Sequence, residues 1–150
     1  MSEVAATISP QCGAALAPGE TCRDRFNEGQ LKEMEQPSRF PVHHLSVPSY
    51  MLQHNIYSAE GWLEAREGLR RFVEEGLAPR EVRRRNRIRL DSGRRNWSVT
   101  RGPKLPGVEH IRWSFAVADV RLDTSEHYCA DVKRWAESVL ADSAELVSKS

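Results

Sequence analysis

The chain has 150 residues, 39% of them hydrophobic and 29% charged, which suits one domain with its own core and is short for two. A net charge of +1 excludes a polycation, and no apolar run approaches the ~18–20 residues of a membrane span. Three cysteines, Cys12, Cys22 and Cys129, are too few and odd in number for a disulfide framework. The opening stretch MSEVAATISPQ lacks the basic start and apolar core of a secretory signal, so a cytoplasmic protein is expected.

In chain order, residues 1–8 read as a flexible tail, 9–141 as a single helical domain and 142–150 as a frayed end. Ser9 to Glu20 is punctuated by Cys12-Gly13 and Pro18-Gly19, both turn signals. Thr21 can cap a helix running to about Gln36, with a stripe of Cys22, Phe26, Gly29 and Glu33 at i, i+4, i+7 and i+11. Val42 to Asn55 predicts a second helix whose stripe is His43, Val47, Tyr50 and His54, with His44 and Met51 alongside. Pro48 either kinks it or sits in the first turn of a helix begun at Ser46. Ser58 caps a third helix that ends near Gly76, with Trp62, Leu69, Phe72 and Val73 inward. A short basic helix is predicted over Ala78–Arg89. Asn96–Thr100 and Ile111–Val117 alternate enough for a small hairpin. Thr124 caps the last helix, where Tyr128, Val132, Trp135 and Val139 recur at helical spacing, and fraying is expected after about Ala141. The fold class is mainly α, a small helical bundle with a knuckle-like N-terminal turn and a small irregular or β-hairpin insertion.

The N-terminal turn, Ser9-Pro10-Gln11-Cys12-Gly13-Ala14, is half of a zinc knuckle. A full knuckle reads C-P-x-C-G, since two thiolates three apart grip one ion and glycine permits the tight turn behind them. Here Ser9 stands at the first position, and a hydroxyl is a poor zinc ligand. Cys22 follows ten residues on. His43, His44 and His54, three of the five histidines, fall within one short window. On a continuous helix His43 and His54 lie roughly 16 Å apart along the axis, too far to share an ion. The alternative is that His43 caps a helix end while His54 lies in the core with Tyr50, each satisfied by a carbonyl. Glu33 adds an oxygen donor on the Cys22 stripe. His127 and Cys129 point to different faces, and His110 sits in a loop without an evident partner.

These pieces occur in a recognisable order: Cys12-Gly13-Ala14, Thr21-Cys22-Arg23-Asp24, Val42-His43-His44-Leu45, Leu52-Gln53-His54, Trp97-Ser98-Val99-Thr100-Arg101, Ala118-Asp119-Val120 and Val132-Lys133-Arg134-Trp135-Ala136. From Ser9 to about Leu140 the chain resembles a family of small bacterial proteins of unknown function. That family's pattern runs C-P-x-C-G-A, T-C-R-D, V-H-H-L, L-Q-H, W-x-V-T, A-D-V and R-x-W-A. The resemblance implies a constellation rather than a reaction. It puts Cys12, Cys22, His43, His44, His54 and Glu33 on motif positions, and Ser9 departs from the motif.

The leading expectation is therefore a divalent-metal site, with zinc as the ion, built from the N-terminal cysteines and the His-rich second helix. It would be structural more than catalytic, stapling a segment with few apolar residues of its own. Three protein ligands plus water would instead suit a metal-dependent hydrolase or transferase, for which no general base beyond Glu33 is evident. A second expectation is binding of nucleic acid or an acidic partner. Arg80, Arg83, Arg84, Arg85, Arg87, Arg89, Arg94, Arg95, Arg101 and Lys104 are opposed only by Glu81 and Asp91 in that stretch. Arg83, Arg84, Arg87, Arg94 and Arg95 could meet phosphates while Trp97 stacks on a base. In a nearly neutral chain the tract reads more readily as a solvated face. A third expectation is a plain interaction module with Trp62, Trp113 and Trp135 as core. No nucleotide-binding or serine-hydrolase motif is present, nor H-E-x-x-H.

Overall fold

Four α-helices carry the fold among the described residues, 7–76 and 102–148 of a computed structural model. The basic helix expected over 78–89, the 96–100 arm of the hairpin, and Arg83, Arg84, Arg87, Arg94, Arg95 and Trp97 lie outside them. Helix α1 spans Cys22–Glu35. Thr21 Oγ1 accepts the Asp24 amide at 3.0 Å and the Asp24 carboxylate accepts the Thr21 amide at 3.2 Å, a reciprocal cap that fixes the first turn. Its buried residues are Cys22, Gly29 and Glu33, with Phe26 packed against the core. That is the stripe the spacing predicts. Gly29 belongs there for a steric reason: a Cβ would lie 3.3 Å from the Tyr128 hydroxyl, so only glycine admits that ring so closely.

A 3-10 turn at Phe40–Val42 leads into helix α2, His43–Gln53, which runs on through Pro48. Asn55 takes a left-handed φ of 52°, its amide reaches Leu52 O and the Ile56 amide reaches Met51 O. Together these close a Schellman end on which His54 is the C-cap. The buried face differs from the expected stripe. Leu45, Ser46, Ser49, Tyr50, Leu52 and Gln53 are inside, whereas Val47 is half-buried. The reason is that both α3 and α4 lie against α2, and small or hydrogen-bonded polar groups let helices approach on that side. Ser49 bonds Leu45 O at 2.7 Å, and Gln53 bonds Phe115 O at 2.7 Å and the Trp135 indole at 3.0 Å.

Helix α3, Ala59–Glu74, starts on Ser58, whose hydroxyl accepts the Gly61 amide at 3.1 Å, and is followed by Gly76 at φ 66°. Trp62 and Leu69 are fully inside, with Phe72 and Val73 partly covered. Helix α4, Ser125–Ser148, is capped by Thr124, which accepts the His127 amide at 3.1 Å. It does not fray at Ala141. Arg66 of α3 donates to Leu140 O at 2.9 Å and to the buried Ser143 hydroxyl at 2.8 Å, so a cross-helix clamp holds the extra two turns.

Two short strands, β1 at Thr7–Ile8 and β2 at Ala15–Leu16, pair antiparallel around the knuckle turn. The tail expected to reach Ile8 is thus paired at its last two residues. The 111–117 arm of the expected hairpin forms no strand. Its polar groups are taken by side chains and local turns: Phe115 O by Gln53, Ser114 N by Asp142 and Ala116 N by Asp119. The region from Gly102 to Thr124 is the irregular insertion, with 3-10 turns at Val108–His110 and Val117–Asp119. Lys104 of the basic tract donates to the Ile56 and Tyr57 carbonyls.

Asp131 pins this insertion to α4, accepting the Arg121 amide and guanidinium at 2.9–3.1 Å. The Arg121 hydrogen bonds hold its carboxyl below the usual range. A depressed carboxyl contributes stability that is complete above the unfolded value of ~3.9 and fades as pH falls through the folded one. Asp131→Asn should therefore cost about 1 kcal/mol at neutral pH, a modest figure because the Arg121 partner is half exposed, and should flatten the loss of stability on acidification. Urea titrations between pH 7 and pH 3 check both.

Candidate metal centre

The three donors converge because the chain doubles back twice. The knuckle turn is closed by Gly13 N to Ser9 O at 3.0 Å and Ser9 N to Ala14 O at 2.9 Å, with Gly13 at φ 73°. It points Cys12 inward, where the residue is 1% exposed. Pro18-Gly19 then makes a type II turn, with the Glu20 amide on Ala17 O and Gly19 at φ 82°. This delivers Cys22 to the first turn of α1, and the Schellman end of α2 delivers His54. Cys12 Sγ and Cys22 Sγ lie 3.5 Å apart as free thiols. One ligand atom from each of Cys12, Cys22 and His54 falls within 4.8 Å of the others. Two thiolates at ~2.3 Å from a tetrahedral ion stand about 3.8 Å apart, so the sulfurs need shift by only a few tenths of an ångström to share one.

The surroundings orient the imidazole. Phe26 stacks on Tyr50 at 4.0 Å and Tyr50 on His54 at 4.2 Å, a column of three rings reaching from α1 to the end of α2. His54 Nε2 is buried with no hydrogen-bond partner among the described residues. Burial lowers the ring's pKa to about 4, which keeps it neutral, the form that ligates metals. Burial likewise pushes the Cys22 thiol up to about 11, with Ser9 pulling the other way through a hydrogen bond. The Tyr50 phenol is raised by burial and by the neighbouring Cys22.

Ser9 is the residue that sequence reasoning undervalued. It is 6% exposed, its hydroxyl donates to Gln11 Oε1 at 3.3 Å, and its Oγ receives the Gln11 and Cys12 amides at 3.3 and 3.4 Å. Those bonds are longer than the ~2.9–3.0 Å usual for N–H···O. The loop holds its amides at a spacing that a larger atom, such as sulfur, would fill.

The other candidates gather elsewhere. Because α1 and α2 run antiparallel, Cys22 meets the end of α2 and Glu33 meets its beginning. His43 Nδ1 lies 2.8 Å from Glu33 Oε1, while Glu33 Oε2 accepts Ser46 at 2.8 Å, Gln30 at 3.3 Å and the Tyr128 hydroxyl. Neither Glu33 nor His43 belongs to the thiol cluster; eleven residues of helix, roughly 16 Å, separate His43 from His54. His44 packs edge-on against Phe72 of α3, its pKa lowered by burial and then by His43. His127 pairs with Asp123, exposed His110 lies 3.6 Å from Glu109, and Cys129 bonds Ser38 O. Between the two clusters, Arg25, Phe26, Gly29, Ser46, Val120, Tyr128 and Trp135 are among the residues lining a cavity of about 10 Å³, room for one water.

The family model for the family of unknown function DUF5946 matches residues 7–144. The chain belongs to DUF5946. This DUF5946 chain matches no curated protein and no solved structure. Among its described residues no helix is long and apolar enough to cross a membrane.

Proposed function

We propose that Cys12, Cys22 and His54 form a zinc site with a structural role. The convergence of three donors from three chain segments within 4.8 Å carries the reading. Two thiols and an imidazole are the donor set that selects zinc among abundant divalent ions. The buried Cys12 and Cys22 favour a closed site over one that turns over substrate. Ser9 supplies the fourth corner as a weak oxygen donor. The ion would staple the β1–β2 hairpin, which has few apolar side chains of its own, to the α1–α2 pair.

Metal analysis of protein purified without a polyhistidine tag tests this. About one equivalent of zinc is expected, abolished by Cys22→Ala. Chelation should lower the melting temperature and expose the Ser9 and Gly13 amides, which close the knuckle turn, to exchange first, because metal binding energy is folding energy for the segment it holds. Less than about a tenth of an equivalent, with no stabilisation on adding zinc, would refute the site.

A further inference from the structure

The second cluster, at the opposite end of the α1–α2 pair, has an arrangement that packing alone does not require. The Glu33 side chain is fully buried. Its two oxygens take four donors: His43 Nδ1, the Ser46 and Tyr128 hydroxyls and the Gln30 amide. A carboxylate accepts about four hydrogen bonds, so its capacity is filled from inside the protein. Three of the donors fall on Oε2, and His43 alone meets Oε1. Of the four donors, His43 alone can carry a positive charge.

His43 differs from its partner in exposure. Its side chain is 41% exposed while that of Glu33 is 0%. Nδ1 faces the carboxylate, so the proton on that nitrogen is fixed and the lone pair is left on Nε2, across the ring. Nε2 has no hydrogen-bond partner among the described residues and is not among the buried polar atoms. One ring face is covered by Phe40, parallel at 10° with centroids 5.1 Å apart, and Phe40 is itself half exposed. The charged or titratable groups around the pair are Glu33 from α1, His44 from α2, Tyr128 and Cys129 from α4 and Arg39, whose guanidinium lies 5.3 Å over the Tyr128 ring. A carboxylate that fixes a histidine's tautomer and orientation, with the second nitrogen free, is the device by which imidazoles act as general bases.

We propose that Glu33 and His43 form a proton-transfer pair, in which His43 Nε2 accepts the proton of a hydroxyl group, water or alcohol, on a ligand lying against Phe40. The proton moves from oxygen to Nε2, the imidazolium formed is neutralised through Nδ1–H by Glu33, and the same proton returns to the oxygen or to a leaving group. His43 is the base and Glu33 the positioning residue. The site is separate from the thiol cluster and stands whether or not zinc is bound there.

An acylating probe reads the activation directly. Diethyl pyrocarbonate forms an N–C bond to a neutral imidazole nitrogen, breaks its anhydride C–O bond and expels ethyl carbonate, while the other ring nitrogen gives up its proton. His127 is the internal reference, because it is 44% exposed and pairs Nδ1 with a carboxylate, Asp123, that is itself 60% exposed. Rates are compared by mass spectrometry on the full-length protein at one mildly alkaline pH. His43 is expected to react roughly five times faster than His127, because the fully buried Glu33 carboxylate on Nδ1 stabilises the charge that develops on the ring as Nε2 attacks, whereas water screens the exposed Asp123. Glu33→Gln should bring it down to the His127 rate. Nitrogen-15 spectra of the wild-type protein should show His43 protonated at Nδ1, a reading that needs no variant to fold. A His43 rate no higher than that of His127, a folded Glu33→Gln protein that reacts unchanged, or a proton on Nε2 would each overturn the proposal.

Discussion

Replacing Ser9 with cysteine is expected to tighten zinc binding on the order of a hundredfold. Four-ligand structural zinc sites hold the ion with about 10–16 kcal/mol, so one good ligand is worth about 3 kcal/mol, and each 1.4 kcal/mol is tenfold. The backbone needs little adjustment. The Gln11 and Cys12 amides already stand 3.3 and 3.4 Å from the Ser9 oxygen, distances that suit hydrogen bonds to sulfur. Ser9→Cys also restores the full C-P-x-C-G knuckle. Ser9→Ala, by contrast, removes a weak donor and should change affinity only a few-fold, because water can take the same place. Competition titrations against a chromophoric chelator measure all three proteins. If Ser9→Cys binds within about threefold of the wild type, Ser9 does not face the ion and the fourth corner lies elsewhere.

Much of this geometry is legible in the residues, and the boundary of what is legible has physical causes. The α1 stripe of Cys22, Phe26, Gly29 and Glu33 is readable because helical period alone dictates which residues share a face. The caps at Thr21, Ser58 and Thr124 are readable because each is a local hydrogen bond between residues three apart. Assigning the histidines is different. Helix rise shows that His43 and His54 cannot serve one ion, but the end of α2 that meets the cysteines depends on the antiparallel turn at 36–42, which spacing does not encode. Glu33 lies on the predicted face, yet the partner that explains its burial, Tyr128, is 95 residues away. The α2 face was hardest to anticipate, because a helix covered by two others hides serines and a glutamine that a single-stripe reading sends outward. The length of α4 depends likewise on Arg66, a charge whose value as a clamp is visible only once α3 and α4 cross.

Trp62→Ala should be the most damaging single core change, at about 3–5 kcal/mol, against a total of about 5–15 kcal/mol for a domain of this kind. Trp62 is 0% exposed, and its indole N–H donates to Leu52 O at 3.0 Å. That carbonyl also receives the Asn55 amide in the Schellman end that fixes His54. The substitution thus opens a cavity between α2 and α3 and loosens the turn that presents the imidazole, two effects at one position. At this chain length a loss of that size lowers the melting temperature by roughly 10–15 °C. Saturating zinc, at about a hundred times its dissociation constant, returns only about 2.7 kcal/mol, so it cannot rescue the variant fully. Coupling between core and centre is then measurable with a cycle of Trp62→Ala, His54→Ala and the double variant. In the presence of zinc the two losses should fall short of additivity by more than 0.5 kcal/mol, because each weakens the same ligand. Strict additivity would mean that the end of α2 holds its shape without Trp62, and that the core and the thiol cluster stand independently.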